Sequence, residues 1–175
     1  MKTIKIGIIG AGRIGKVHAK NISMFVPEME IKTIADPFMN EETEAFAKQC
    51  GIPNCTKDAN DILNDPEIEA VLICSSTDTH SKYIIEAAHA KKHIFCEKPI
   101  DYDLAKVHEA INAAKEAGVK LQIGFCRRFD TTTARFTTWF AMARSARSTL
   151  SRFLPVTRSR PRYPMSRFPA VSSTT

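Results

Sequence analysis

Through the first 125 residues, apolar runs alternate with stretches whose apolar residues recur at helical spacing. TIKIGII (3–9), IKTIA (31–35), IEAVLIC (68–74), HIFC (93–96) and VKLQIGF (119–125) read as strands, with a short one over 54–56. Between them, 13–25 carries Ile14, Val17, Ile22 and Phe25 near a helical period. A helix over 41–50 ends at Gly51 and Pro53, and a short one covers 58–63. Another over 79–91 carries Ile84, Ile85, Ala87 and Ala88, and 103–117 places Leu104, Val107, Ile111 and Ala114 on one face. Asp101 or Asp103 is a suitable cap for this last helix, and Gly118 a suitable end. Such alternation predicts an α/β fold, a doubly wound parallel sheet with helices on both faces. Near-continuous apolar strands such as VLIC fit burial from both sides.

The pattern stops abruptly after Asp130. Residues 1–130 hold 17 Lys+Arg against 19 Asp+Glu, while 131–175 hold 8 Arg and no acid, so the chain's net charge of +6 belongs to the tail. The front has 14 Lys and 18 Ile; the tail has neither residue and is dominated by Thr, Ser, Arg and Pro. The expected organisation is therefore a domain over 1–125, the start of a connection over 126–130, and an aberrant tail over 131–175. The tail reads as irregular or disordered sequence, translated out of frame; a genuine basic extension is the rival. A third reading gives it a nucleic-acid role, with Phe136, Trp139, Phe140, Phe153 and Tyr163 stacking on bases between arginines. That reading ranks last, since spurious codons explain the same residues.

Five scattered cysteines form no C-x-x-C pair and no zinc-spaced cluster, so no metal site is expected. Cys74 and Cys96 sit in apolar runs and read as core. Unpaired thiols suit a reducing, cytoplasmic setting. No apolar run approaches the roughly 20 residues of a membrane span.

Gly10-Ala11-Gly12-Arg13-Ile14-Gly15 is a G-x-G-x-x-G that directly follows a strand and opens a helix. Gly10 permits a tight turn, Gly12 lets backbone approach a diphosphate, and Gly15 lets helix and strand pack closely. The first-turn amides, those of Arg13 and Ile14 included, face the phosphates with the positive end of the helix dipole. Asp36 ends the second strand, 21 positions after Gly15. A carboxylate there accepts from both ribose hydroxyls and repels a 2′-phosphate. Pro37 and Phe38 follow it, with no cation, so NAD is expected over NADP. The plainer alternatives are a simple glycine turn and an aspartate that caps the bend before Pro37.

Cys96-Glu97-Lys98-Pro99-Ile100 follows a strand whose C-terminal end should face the same crevice. A lysine there can hydrogen-bond a substrate hydroxyl and stabilise an alkoxide, and the proline fixes the backbone, with a cis Lys98–Pro99 bond an option. By itself the tripeptide is equally a solvated turn. Taken with IGIIGAGRIGKVHAKN, IADPF, VLICSSTDTHSKYI and IGFCRRFD, however, it resembles the Gfo/Idh/MocA oxidoreductases, and IGFCRRFD most resembles their inositol dehydrogenases. The resemblance covers about residues 1–130. It implies that Lys98 is catalytic, that Ser75, Ser76, Thr77 and His80 line the nicotinamide side of the cleft, and that Glu97 lies beside the nicotinamide ribose. It also implies that Arg127 and Arg128 lie near the mouth of a substrate domain. The bland alternatives are helix caps for Thr77 or Asp78, an exposed first-turn histidine for His80, and surface charges for the arginines. His18 reads as a packing or supporting residue. His89, His93 and His108 read as ordinary helix or strand-edge residues.

The resemblance further implies NAD-dependent oxidation of a polyol such as myo-inositol, homo-oligomers among intact relatives, and a second α/β domain carrying an Asp-x-x-x-His pair. In this chain every histidine lies at or before His108 and every acid at or before Asp130, so residues 131–175 supply neither. The expectation is weak NAD binding with negligible polyol oxidation, and poor solubility where the sheet lacks cover.

Overall fold

The computed structural model describes residues 3–129, and the chain divides into two units, Met1–Phe125 and Cys126–Thr175. Of the second unit, the described part is a 3-10 turn over Cys126–Phe129. Readings made for 131–175 lie outside the described residues.

The first unit follows the order β1 (Ile4–Ile9), α1 (Arg13–Phe25), β2 (Met29–Ala35), α2 (Glu41–Gln49), β3 (Asn54–Thr56) and α3 (Asn60–Leu63). It continues with β4 (Ala70–Ile73), α4 (Thr77–His89), β5 (His93–Cys96), α5 (Leu104–Ala117) and β6 (Leu121–Ile123). All pairings are parallel, in the order β3-β2-β1-β4-β5-β6. This is the doubly wound α/β architecture. The order reverses between β1 and β4, which opens a crevice beyond their C-terminal ends.

Strand alternation divides the apolar residues between two cores. Ile6, Ile8, Leu72 and Cys74 pack with Ala19 and Ile22 of α1 and Ala47 of α2. Ile9, Val71, Ile73, Ile94 and Cys96 pack with Ile62, Ile84, Ala88, Ala110 and Ala114 of α3, α4 and α5. Each fully buried isoleucine contributes about 1.5–3 kcal/mol of transfer free energy. The β1–β2 register shifts between Ile6 and Gly7, because Lys32 is an extra residue on β2. That bulge is why Ile31 and Ile34, three apart, both reach the same core.

Two helices bury a different stripe from the one their large apolar residues suggest. In α1 the buried residues are Gly15, Ala19 and Ile22, while Ile14, Val17 and Phe25 are exposed. In α5 they are Ala110 and Ala114, with Leu104 and Ile111 exposed. Small residues let these helices approach the sheet closely, and the large ones turn outward. Asp103 caps α5 through the Ala105 amide, and left-handed Gly118 ends it. Asp101 instead accepts from Ser81 and the Asp103 amide. No helix among the described residues is long and apolar enough to cross a membrane.

Candidate functional site

The C-terminal ends of β1, β2, β4 and β5 deliver Gly10, Asp36, Ser75 and Glu97 to one edge of the sheet. The ladder continues through them: Gly10 N–H donates to the Ala35 carbonyl, Cys74 N–H to Ile9, and Glu97 N–H to Ile73. The loop after β1 is held from three sides. Gly10 has φ +102°, and a Cβ there would lie 2.5 Å from the Ser75 nitrogen. A Cβ on Gly15 would lie 1.9 Å from the Gly10 carbonyl oxygen, so α1 starts in near-contact with the turn that precedes it. Gly12 is the opposite case. It caps α1 in ordinary extended backbone, φ −67° and ψ −173°, and a Cβ on it would meet nothing within 4 Å. Its backbone faces open space, and Arg13 and Ile14 beside it are exposed.

Asp36 does what the cap reading required and more. Its Oδ1 accepts from the Phe38 amide at 2.8 Å, closing the bend at Pro37. Its Oδ2 accepts from the Ala11 amide at 2.7 Å, tying the end of β2 to the glycine loop. Each carboxylate oxygen has a further lone pair to offer, and the group stands partly exposed.

After β4, Ser75 Oγ pairs with Thr79 Oγ1 at 2.7 Å, and Thr79 also donates to the Ser76 carbonyl. Ser76 is the N-cap residue of α4, so neither Thr77 nor Asp78 takes that position. Ser76 is exposed; Ser75 and Thr77 are half-buried. His80 is not the exposed first-turn histidine of the plainer alternative. It is 2% exposed, with Nδ1 2.8 Å from the Pro99 carbonyl and Nε2 3.0 Å from the Ser75 carbonyl. Each ring nitrogen thus faces a backbone carbonyl, and the ring's N–H donates to one of them. The ring clamps the loop after β4 to the turn after β5.

That turn contains a cis Lys98–Pro99 bond. Lys98 is exposed, and its amide donates to Glu97 Oε2 at 3.3 Å. Glu97 Oε1 lies 2.8 Å from Nε2 of His18 on α1. Sequence reasoning missed this pairing: the two residues are 79 apart, and no local spacing signals it. Arg127 is exposed in the second unit, in the 3-10 turn. Cys74 and Cys96 are buried as expected, and burial pushes both thiols up to about 12. Among the described residues no cluster of three His, Cys, Asp or Glu is placed to hold a metal ion.

Residues 4–125 match the family described as oxidoreductases with an NAD-binding Rossmann fold, GFO_IDH_MocA. An uncharacterized oxidoreductase of Bacillus subtilis, YrbE, is 50% identical over 129 residues, covering 74% of this chain and 37% of that protein. The myo-inositol 2-dehydrogenase of Thermotoga maritima is 42% identical over 127 residues, covering 73% of this chain and 37% of that protein. Among solved structures, scyllo-inositol dehydrogenase from Lactobacillus casei, with bound NAD(H) and scyllo-inositol, superposes with a TM-score of 0.76 at 33% identity. That match covers 82% of this chain and 42% of the other. The chain thus spans well under half the length of the relatives it matches.

Proposed function

The chain belongs to the oxidoreductase family with the NAD-binding Rossmann fold, and we propose that its first unit is the cofactor half of an NAD-dependent polyol dehydrogenase of the inositol type. The observation that carries this reading is the pairing of Gly12, bare and open, with Asp36, fixed but still able to accept. A diphosphate fits against backbone that no Cβ shields. A ribose diol fits the remaining lone pairs of Asp36, where a 2′-phosphate would meet a carboxylate. Gly10, Gly12, Arg13, Ile14 and Gly15 form the phosphate cradle, and Ser75, Ser76 and Thr77 flank it after β4. Glu97 serves the second ribose. His80 serves as support for the loops.

When bound, NAD supplies a hydride acceptor for the oxidation of a secondary alcohol to a ketone. Lys98 donates a hydrogen bond to the substrate hydroxyl and stabilises negative charge on that oxygen. Arg127 would serve as a substrate contact. A polyol is the substrate class favoured by the named relatives. Five free thiols and an NAD site suit a cytoplasmic setting.

A second reading is a unit that binds NAD without catalysis, since a histidine or acid to take the hydroxyl proton is not found among residues 131–175. Titration calorimetry of the chain with NADH tests the binding that both readings share, and no heat would refute both. Inositol-dependent NADH formation separates them.

A further inference from the structure

Three stretches of chain meet at Glu97: α1, the end of β5 with the turn after it, and the residue that follows β6. His18 comes from α1, with Nε2 2.8 Å from Glu97 Oε1. Phe95 of β5 meets the His18 ring edge-on, at 5.3 Å between centroids. Gly124, beyond β6, is where a Cβ would lie 3.1 Å from both Glu97 Oε1 and Phe95 Cζ. The Lys98 amide reaches Oε2. The His18 and Glu97 side chains retain 27% and 19% exposure, which sets the pair apart from an ordinary surface contact. The contact is short, backed by an aromatic ring and closed over by a glycine.

We propose that His18 is a positioning residue: by holding Oε1 of Glu97 it fixes that carboxylate before any ligand arrives and leaves Oε2 to serve the Lys98 amide and a ribose hydroxyl. The effect on the cofactor rests on the NAD-binding reading above. A glutamate left free would have to surrender its rotamers on binding, and the ordering cost would weaken affinity. His18 meets that cost during folding. Because Glu97 and Lys98 are adjacent, the same bond also steadies the turn that presents the Lys98 ammonium.

The test uses the full 175-residue chain with His18→Ala, His18→Gln, Glu97→Ala and the double variant His18→Ala/Glu97→Ala. Glutamine can place an N–H near the position of the histidine Nε2. With NADH followed by fluorescence, His18→Ala weakens binding about three- to tenfold, and His18→Gln recovers most of the loss. In the Glu97→Ala background the His18 change has no further effect. Melting of His18→Ala stays within about 2 °C of the parent. In the NADH-free protein, the Glu97 and Lys98 amide resonances move in His18→Ala and return in His18→Gln. Equal losses in the alanine and glutamine variants, additive losses with Glu97→Ala, or unmoved resonances would overturn the proposal. If the parent chain bound no NADH, the functional reading would fall, and the resonances of the free protein would still decide whether His18 positions the turn.

Discussion

Replacing Gly12 and Gly15 separately by alanine divides the ligand-binding part of the glycine loop from its folding part. At Gly15 the new methyl carbon would lie 1.9 Å from the Gly10 carbonyl oxygen, against an ordinary contact of about 3.5 Å. The Gly10 peptide has no room to retreat, because its amide is bonded to Ala35 and the Cys74–Ser75 backbone lies against it. The start of α1 must shift by more than an ångström, and such overpacking costs about 1–3 kcal/mol or more. For a domain of this size that lowers the melting temperature by about 5–15 °C. Gly12→Ala enters open space in a backbone conformation that alanine adopts freely. Losing glycine as N-cap costs about 0.5–1 kcal/mol, and the stiffer unfolded chain returns a similar amount. Melting should therefore change by less than about 4 °C. The same methyl would stand in the backbone cradle proposed for a diphosphate. Forfeiting one hydrogen bond to a charged group costs about 1.5–3 kcal/mol, so NADH affinity drops roughly tenfold to a hundredfold. Thermal melts and NADH titration of both variants decide the matter. A Gly12→Ala chain that binds NADH as the parent does would refute the backbone cradle, and one that unfolds would reduce the motif to a structural turn.

Asp36→Asn should weaken NADH binding and narrow discrimination against NADPH about tenfold, since an amide no longer repels a 2′-phosphate; unchanged discrimination would remove Asp36 from the ribose site. With a thiol reagent at pH 8, Cys55 should react in the native protein, whereas Cys74 and Cys96, buried and pushed up to about 12, should stay silent until denaturant is added. Native labelling of either buried thiol would contradict their packing. Acid should destabilise the fold in part through Lys32, whose ammonium hydrogen-bonds Asp65 at 2.6 Å and Glu67, holding both carboxyls below their ordinary values. Their contribution is complete above the unfolded carboxylate range near pH 4 and is lost as pH falls through the lowered folded values. The urea midpoint should therefore drop more steeply between pH 5 and pH 2, as order-of-magnitude limits, in the parent than in Lys32→Met; parallel curves would discount the pair.

Much of this architecture was legible one residue at a time. α1 runs over the expected span, and β3 and β5 occupy the predicted residues. The six strands form the parallel sheet that strand–helix alternation implied. Positions that looked chemical, from Gly10 to Lys98, follow strand ends because the motifs are themselves strand-end turns. Large apolar side chains, by contrast, gave the buried stripes of α1 and α5 only in part: Ile22 and Ala114 are buried, while Ile14, Val17, Phe25, Leu104 and Ile111 are exposed. A hydrophobic period reports which side chains prefer shelter, and it is blind to how closely a helix must approach its sheet.

Spacing over a few residues is set by backbone dihedrals and the two side-chain periods, so the strands, helices, glycine turn and terminal aspartate were written in the sequence alone. Contacts between remote segments depend on how the layers stack, and only that stacking decided them. It brought His18 to Glu97 across 79 residues and buried His80 between two carbonyls. It also made the Gly15 Cβ position sterically impossible while leaving that of Gly12 open. The identical letter in one motif thus has opposite physical roles, because one glycine faces a neighbouring peptide and the other faces the crevice.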